Sequence, residues 1–384
     1  FKYFDFFTEN LVNVLHLLGW DADYVTLNIL LPVGISFYTF QALSYTIDVY
    51  QGKIKATHDI VAFFAYISFF PQLVAGPIER ATHLLPQFLR PRNFDCDLAL
   101  DGIRQMLWGF FKKVVVADNC ALFVNGVFEN YQTLDGSTLF LGAFFFTIQI
   151  YGDFSGYSDI AIGCARLFGI DLMQNFKYPY FSRDIAEFWR RWHISLSSWF
   201  KEYVYIPLGG NRKGFPKQIR NILIVWLLTG FWHGASWNFV AWGLYFGVLL
   251  IVEKLFLLRF LKKLPAFFQH VYTMLLVMLG WAIFSFDSLG NGIAYIRALF
   301  GGYGQPIWDG GGVYLLYTNI ALLLIAAVGS TPLPKELWRR LEGRLSAHPI
   351  PLGAMETCLV AAGMVLSIAF LVDASYNPFL YFRF

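Results

Sequence analysis

Residues 217–254 read KQIRNILIVWLLTGFWHGASWNFVAWGLYFGVLLIVEK, two apolar runs that meet at a short turn containing a histidine. The 33 residues between Arg220 and Lys254 extend about 50 Å as helix. Two full crossings of a hydrocarbon core of about 30 Å need about 60 Å. With both charged ends on one side of a membrane, the apex TGFWHGASWN (229–238) therefore stops short of the far surface. His233 lies thirteen residues past Arg220, about 20 Å into the bilayer. Snorkelling of Arg220 and Lys254 shifts this by several Å without bringing it out. An imidazole at that depth needs a polar surrounding, and intramembrane ionisable groups point to function. Histidine exchanges a proton near neutral pH, which suits a general base. Gly230 and Gly234 allow a substrate or another backbone to come close. The competing reading is a helix-capping histidine bonded to a carbonyl.

The rest of the chain is written in the same alphabet. Charged residues make up 14 %, hydrophobic ones 57 % and aromatic ones 19 %, with a mean hydropathy of +0.51. Soluble domains carry about 25 % charge. Runs near the membrane-spanning length fall at 25–47, 137–168, 235–252, 270–286, 313–328 and 352–372. These predict an all-α, polytopic integral membrane protein with about eight to eleven membrane helices, some short or re-entrant. No linker or repeat divides it, so one domain over 1–384 is expected; the start at Phe1 suggests that an N-terminal hydrophobic segment is missing. A net charge of +3 without a basic run gives no nucleic-acid footprint. The four cysteines (Cys96, Cys120, Cys164, Cys358) are scattered, so neither a metal site nor a disulfide framework is expected.

Positive residues concentrate at 80–113, 177–220, 254–263 and 335–344, which puts those segments on the cytoplasmic side. The loops 118–136 and 301–312 carry none and belong outside, as does the tail 377–384. Before Arg166 the topology stays open. Residues 57–76 have basic flanks at both ends, and Pro71, Gly76 and Pro77 suit a broken, re-entrant helix. Residues 331–347 read as an amphipathic cytoplasmic helix.

Two further clusters carry polar chemistry. SRDIAEFWRRWHISLSSWFKEYVYIPL (182–208) mixes Arg183, Asp184, Glu187, Arg190, Arg191, Lys201 and Glu202 with aromatic residues, the pattern of a segment lying along the membrane surface. On its own, His193 there reads as an interfacial anchor. Its arginines suit either anionic lipid or a phosphorylated donor. The turn PLGGNRKG (207–214) adds Arg212 and Lys213 on the same side. Within 137–168, Gln149, Tyr151, Asp153, Ser155, Tyr157, Ser158 and Asp159 form a mid-depth polar stripe, which either lines a cavity or bonds neighbouring helices.

WRRWHISLSSWFKEYVYIPLGGNRKG (189–214) followed by LLTGFWHGASWNFVAWG (227–243) resembles the membrane-bound O-acyltransferase family. FFPQLVAGPIER (69–80), YGDFSGYSDIAIG (151–163) and NPFLYFRF (377–384) fit its bacterial branch, whose members O-acetylate alginate, peptidoglycan and other polysaccharides. The resemblance makes His233 the principal catalytic histidine and His193 the second motif histidine. It implies a funnel with a thin floor, lined by candidates Tyr151, Asp153, Ser155, Trp232, Ser236 and Asn238. It further implies a cytoplasmic acyl thioester donor, acetyl-CoA, with phosphates near Arg190, Arg191, Lys201, Arg212 or Lys213, and no bound cofactor. The acceptor would be a hydroxyl of an extracytoplasmic acetyltransferase-like partner protein, and the location the inner (cytoplasmic) membrane. D-alanyl transfer to teichoic acid is the alternative within the family; a transporter, or a scaffold of a glycan-modifying complex, is the alternative of another class.

Overall fold

The computed structural model describes residues 3–23, 32, 34–345 and 349–373, and among them there is no strand. Helices satisfy their own backbone groups, which a chain in a bilayer requires. The protein is an all-α, polytopic membrane protein. Three helices, Ala266–Ser285, Gly310–Gly329 and Ile350–Asp373, are long and apolar enough to cross a membrane by length and composition alone. That is fewer than the about eight to eleven expected from hydropathy, and the reason is physical. The interior helices are loaded with polar groups, short, or broken. The long helix Gly136–Leu167 is buried along most of its length yet carries Gln149, Asp153 and Asp159. The run at 57–76 is split at Phe69 into Ile60–Ser68 and Phe70–Leu73. Nine residues of helix rise only about 14 Å, so neither piece is long enough to cross a hydrocarbon core.

Other expected spans map onto Trp237–Val252, Ala266–Ser285, Gly310–Gly329 and Pro349–Asp373. The run 25–47 becomes the helix Ile35–Tyr50, with residues 25–31 and 33 outside the described residues. The tail 377–384 is also outside them. The expected amphipathic helix is Leu333–Leu345, which buries none of its residues. The two C-terminal apolar helices turn Leu324 (59 % exposed) and Val365 (66 %) outward. A helix apolar all round and unburied by its own protein has lipid as its solvent.

The Gly136–Leu167 helix is the axis of the core, and small residues set its neighbours' distance. A side chain added at Gly109 would meet the carbonyl oxygen of Gly156 at 2.5 Å. The deciding hairpin is built by the same device. Phe215–His233 and Trp237–Val252 cross where an added Cβ at Gly230 would lie 2.3 Å from the Phe239 carbonyl, and one at Gly243 2.3 Å from that of Trp226. The glycines flanking the histidine admit the partner helix rather than a ligand: Gly234 faces the Phe239 ring.

Candidate active site

His233 is the last residue of its helix, and Gly234 follows in extended backbone. Its ring is 7 % exposed and sits among Trp232, Trp242 and Phe284, with centroids at 5.0, 5.0 and 5.2 Å. These rings meet the imidazole edge to face, which fixes its plane and keeps bulk water away.

His193 arrives from a different element. The segment at 182–208 folds as Ile185–Arg191, a break, and Ile194–Phe200. The break has an identifiable cause. The amide of Lys177 donates to the Arg191 carbonyl at 2.9 Å, and that of Ile194 to the Asn175 carbonyl at 2.9 Å. These bonds to the chain at 175–177 replace helical ones. They hold His193 at φ 44, a left-handed conformation costly for a non-glycine residue. The GPIER loop locks the far end: Ile78 N–H donates to Ser195 Oγ at 2.9 Å, and Arg80 reaches Ser198 Oγ (3.1 Å) and Glu202 (3.0 Å).

One cavity of about 700 Å³ has both histidines in its wall. Ile222, Val225, Trp226, Thr229 and His233 line it from one face of the Phe215–His233 helix. From Ile222 to His233 that stripe rises about 16 Å. Glu253, Lys254 and Leu258, at the end of the hairpin's second helix away from His233, line it too, as do exposed Arg190 and Lys201. The cavity thus joins a basic rim to a buried imidazole. Both Lys201 and Lys254 lie in π-helical turns, Lys201–Tyr205 and Glu253–Leu257, a local widening common at functional sites.

The other sequence candidates separate. Arg191 is tied to Glu187 at 2.6 Å and is not in the cavity wall. Arg212 and Lys213 stand exposed on the turn, the Lys213 stem packing over Gly209. Trp232 lies between the two histidines, its centroid 6.2 Å from that of His193. Asp153 pairs with Lys113 at 2.6 Å and is not in the wall of the large cavity. Tyr151 and Ser155 line a second cavity of about 570 Å³, along with the ion pair of Lys112 and Asp159. Asn238 donates to the Phe286 carbonyl at 2.8 Å and Ser236 precedes the second hairpin helix; neither reaches the large cavity. No group of three or more potential metal ligands occurs among the described residues. Sequence reasoning missed Asn175, which holds His193, and Glu253, which is buried in the cavity wall and accepts the Ile185 amide at 2.9 Å.

Both histidines, the basic rim and the glycine crossing fall within residues 53–293, which match the model of the MBOAT, membrane-bound O-acyltransferase family. The chain belongs to the membrane-bound O-acyltransferase family. As such it is an O-acyltransferase. It is 37 % identical over its whole length to the probable alginate O-acetylase AlgI of Pseudomonas putida, covering 81 % of that protein. It is 36 % identical to the peptidoglycan O-acetyltransferase of Helicobacter pylori, over 78 % of this chain and 62 % of the relative. The teichoic acid D-alanyltransferase of Bacillus subtilis is 29 % identical over 60 % of each. In this membrane-bound O-acyltransferase the helices beyond residue 293 lie outside the matched region, and they include two of the three strongly apolar ones.

Proposed function

We propose that this O-acyltransferase, a single domain of the inner membrane, moves an acetyl group from a cytoplasmic thioester, acetyl-CoA, to an extracytoplasmic acceptor that serves O-acetylation of a cell-surface polysaccharide or peptidoglycan. The observation that carries the reading is one cavity whose wall holds the cations Arg190, Lys201 and Lys254 as well as His233. The cations suit the donor's phosphates. The wall between is mostly aromatic and aliphatic, which suits an uncharged arm bearing the acyl group. His233 takes the proton of the acceptor hydroxyl as its oxygen attacks the thioester carbonyl carbon. The C–O bond forms, the C–S bond breaks, and the proton passes from the imidazolium to the leaving thiolate. The acceptor is a hydroxyl on a partner protein outside the membrane, which hands the acetyl group onward. Greater identity to the acetylating relatives than to the D-alanyl one favours acetyl.

The test is transfer by the purified protein in vesicles, offered acetyl-CoA or carrier-bound D-alanine. Acetyl transfer should dominate. His233→Ala should lower it by roughly 10²–10⁴-fold, the usual contribution of a general base, while insertion stays normal. Activity within tenfold of wild type would sink the assignment of His233, and preference for D-alanine would sink that of the acyl group.

A further inference from the structure

The carboxamide of Asn175 is the one side chain that hydrogen-bonds His193 among the described residues, and its orientation is fixed by chemistry. Its Oδ1 lies 3.3 Å from the backbone nitrogen of Ser195 and 2.9 Å from Ser195 Oγ. A backbone N–H only donates, so the atom facing it must be an acceptor, the oxygen. The same oxygen is 3.1 Å from His193 Nδ1. An acceptor there requires that Nδ1 carry a proton. In a neutral imidazole the other nitrogen, Nε2, then holds the lone pair. That nitrogen is buried and meets no hydrogen-bond partner among the described residues, although His193 is one of the residues lining the cavity.

We propose that Asn175 is a positioning residue that locks His193 as the Nδ1–H tautomer, leaving Nε2 an acceptor of a hydrogen bond or a proton. The left-handed backbone at His193 is held by the same residue, since the Asn175 carbonyl accepts the Ile194 amide. Asn175 therefore sets both the place and the protonation pattern of the ring. A consequence for acyl transfer follows. His193 cannot act from Nε2 as the resting acid that protonates the leaving thiolate. It receives a proton or an N–H or O–H of the substrates, and the thiolate takes its proton from elsewhere. The inference rests on His193, the second motif histidine of the resemblance, taking part in transfer beside His233, and the two fail separately.

The experiment is nitrogen NMR on protein carrying ¹⁵N-histidine in lipid nanodiscs, with the His193 signals assigned by their loss in His193→Gln. At neutral pH the wild type should show a protonated Nδ1 and a bare Nε2. Asn175→Asp keeps an oxygen at the same place and should retain the protonated Nδ1. Asn175→Leu, similar in size without an acceptor, should lose it, with kcat lowered at least roughly tenfold and donor KM changed less than twofold. A protonated Nε2 and bare Nδ1 in the wild type overturn the proposal without any variant. So does an unchanged tautomer in Asn175→Leu. Full activity in His193→Gln would instead overturn the participation of His193 and leave the tautomer result to stand for Asn175.

Discussion

His233 and His193 occupy one cavity under opposite constraints. The first is caged by aromatic rings at a helix end, and the second is strained into a left-handed turn by backbone bonds to 175–177. His233 was legible in the sequence because a length argument needs only the count between two charges. Asn175 was not, because it sits in a loop with no periodicity and meets His193 across 18 residues. The arginine pair shows the same limit. Arg190 and Arg191 are adjacent and chemically equal, but successive helical residues point about 100° apart. Arg190 borders the cavity while Arg191 folds back on Glu187. If the rim holds phosphate equally in ground and transition states, its loss should raise KM and spare kcat. Arg190→Ala should therefore raise the donor KM several-fold with kcat little changed, and Arg191→Ala should change neither by more than twofold. Initial-rate kinetics over a range of acetyl-CoA decide it; equal KM values for the two variants would remove Arg190 from the donor site.

At the scale of elements, composition and hydropathy placed the apolar helices after residue 136 to within a few residues but could not show which segments were broken. The split at Phe69 and the break at His193 are imposed by contacts with distant chain, which no local pattern carries. The hairpin crossing is another such contact. Gly230 abuts backbone, not a flexible side chain, so Gly230→Val forces the two helices apart at a cost of about 1–3 kcal/mol. It should lower the melting temperature and displace His233, abolishing transfer, whereas Gly363→Val, with open space around it, should leave activity intact. Comparable loss in both would mean the crossing is not what positions the histidine. The loop before the Ala81–Leu89 helix, beside the segment that positive charge assigns to the cytoplasm, gives a pH signature. Glu79 is fully buried and bonds His83 Nδ1 at 2.8 Å. That hydrogen bond raises the His83 pKa above its ordinary value, against the opposing effect of burial and with help from Asp171. A raised folded-state pKa stabilises the fold fully below the unfolded value of about 6.5, and the benefit fades as pH rises through the folded one. Melting curves of wild type and His83→Gln should therefore differ most on the acid side and converge in alkali. A gap that widens with pH would contradict the pairing.

At the scale of the molecule, the placement of the cavity makes a claim about sidedness. Its wall carries Arg190, Lys201 and Lys254, the residues that positive charge assigns to the cytoplasm, and His233 lines it too. Ser197 lines that cavity, while Ser236 sits beyond His233 at the hairpin apex and outside it. In a background with Cys96, Cys120, Cys164 and Cys358 replaced, Ser197→Cys should react with a membrane-impermeant thiol reagent only when the cytoplasmic face is opened. Acetyl-CoA added beforehand should slow that labelling, because the donor's arm fills the same space. Ser236→Cys should be labelled from outside and be indifferent to the donor. Each half of the result tests a different step. Donor protection at Ser197→Cys without outside access at Ser236→Cys would keep the donor cavity and deny a route for an extracytoplasmic acceptor to His233. Labelling of both cysteines from the same face would reject transfer across the membrane. The enzyme would then bring donor and acceptor to His233 through one mouth, and the short hairpin would serve to bury the histidine without thinning the barrier between two compartments.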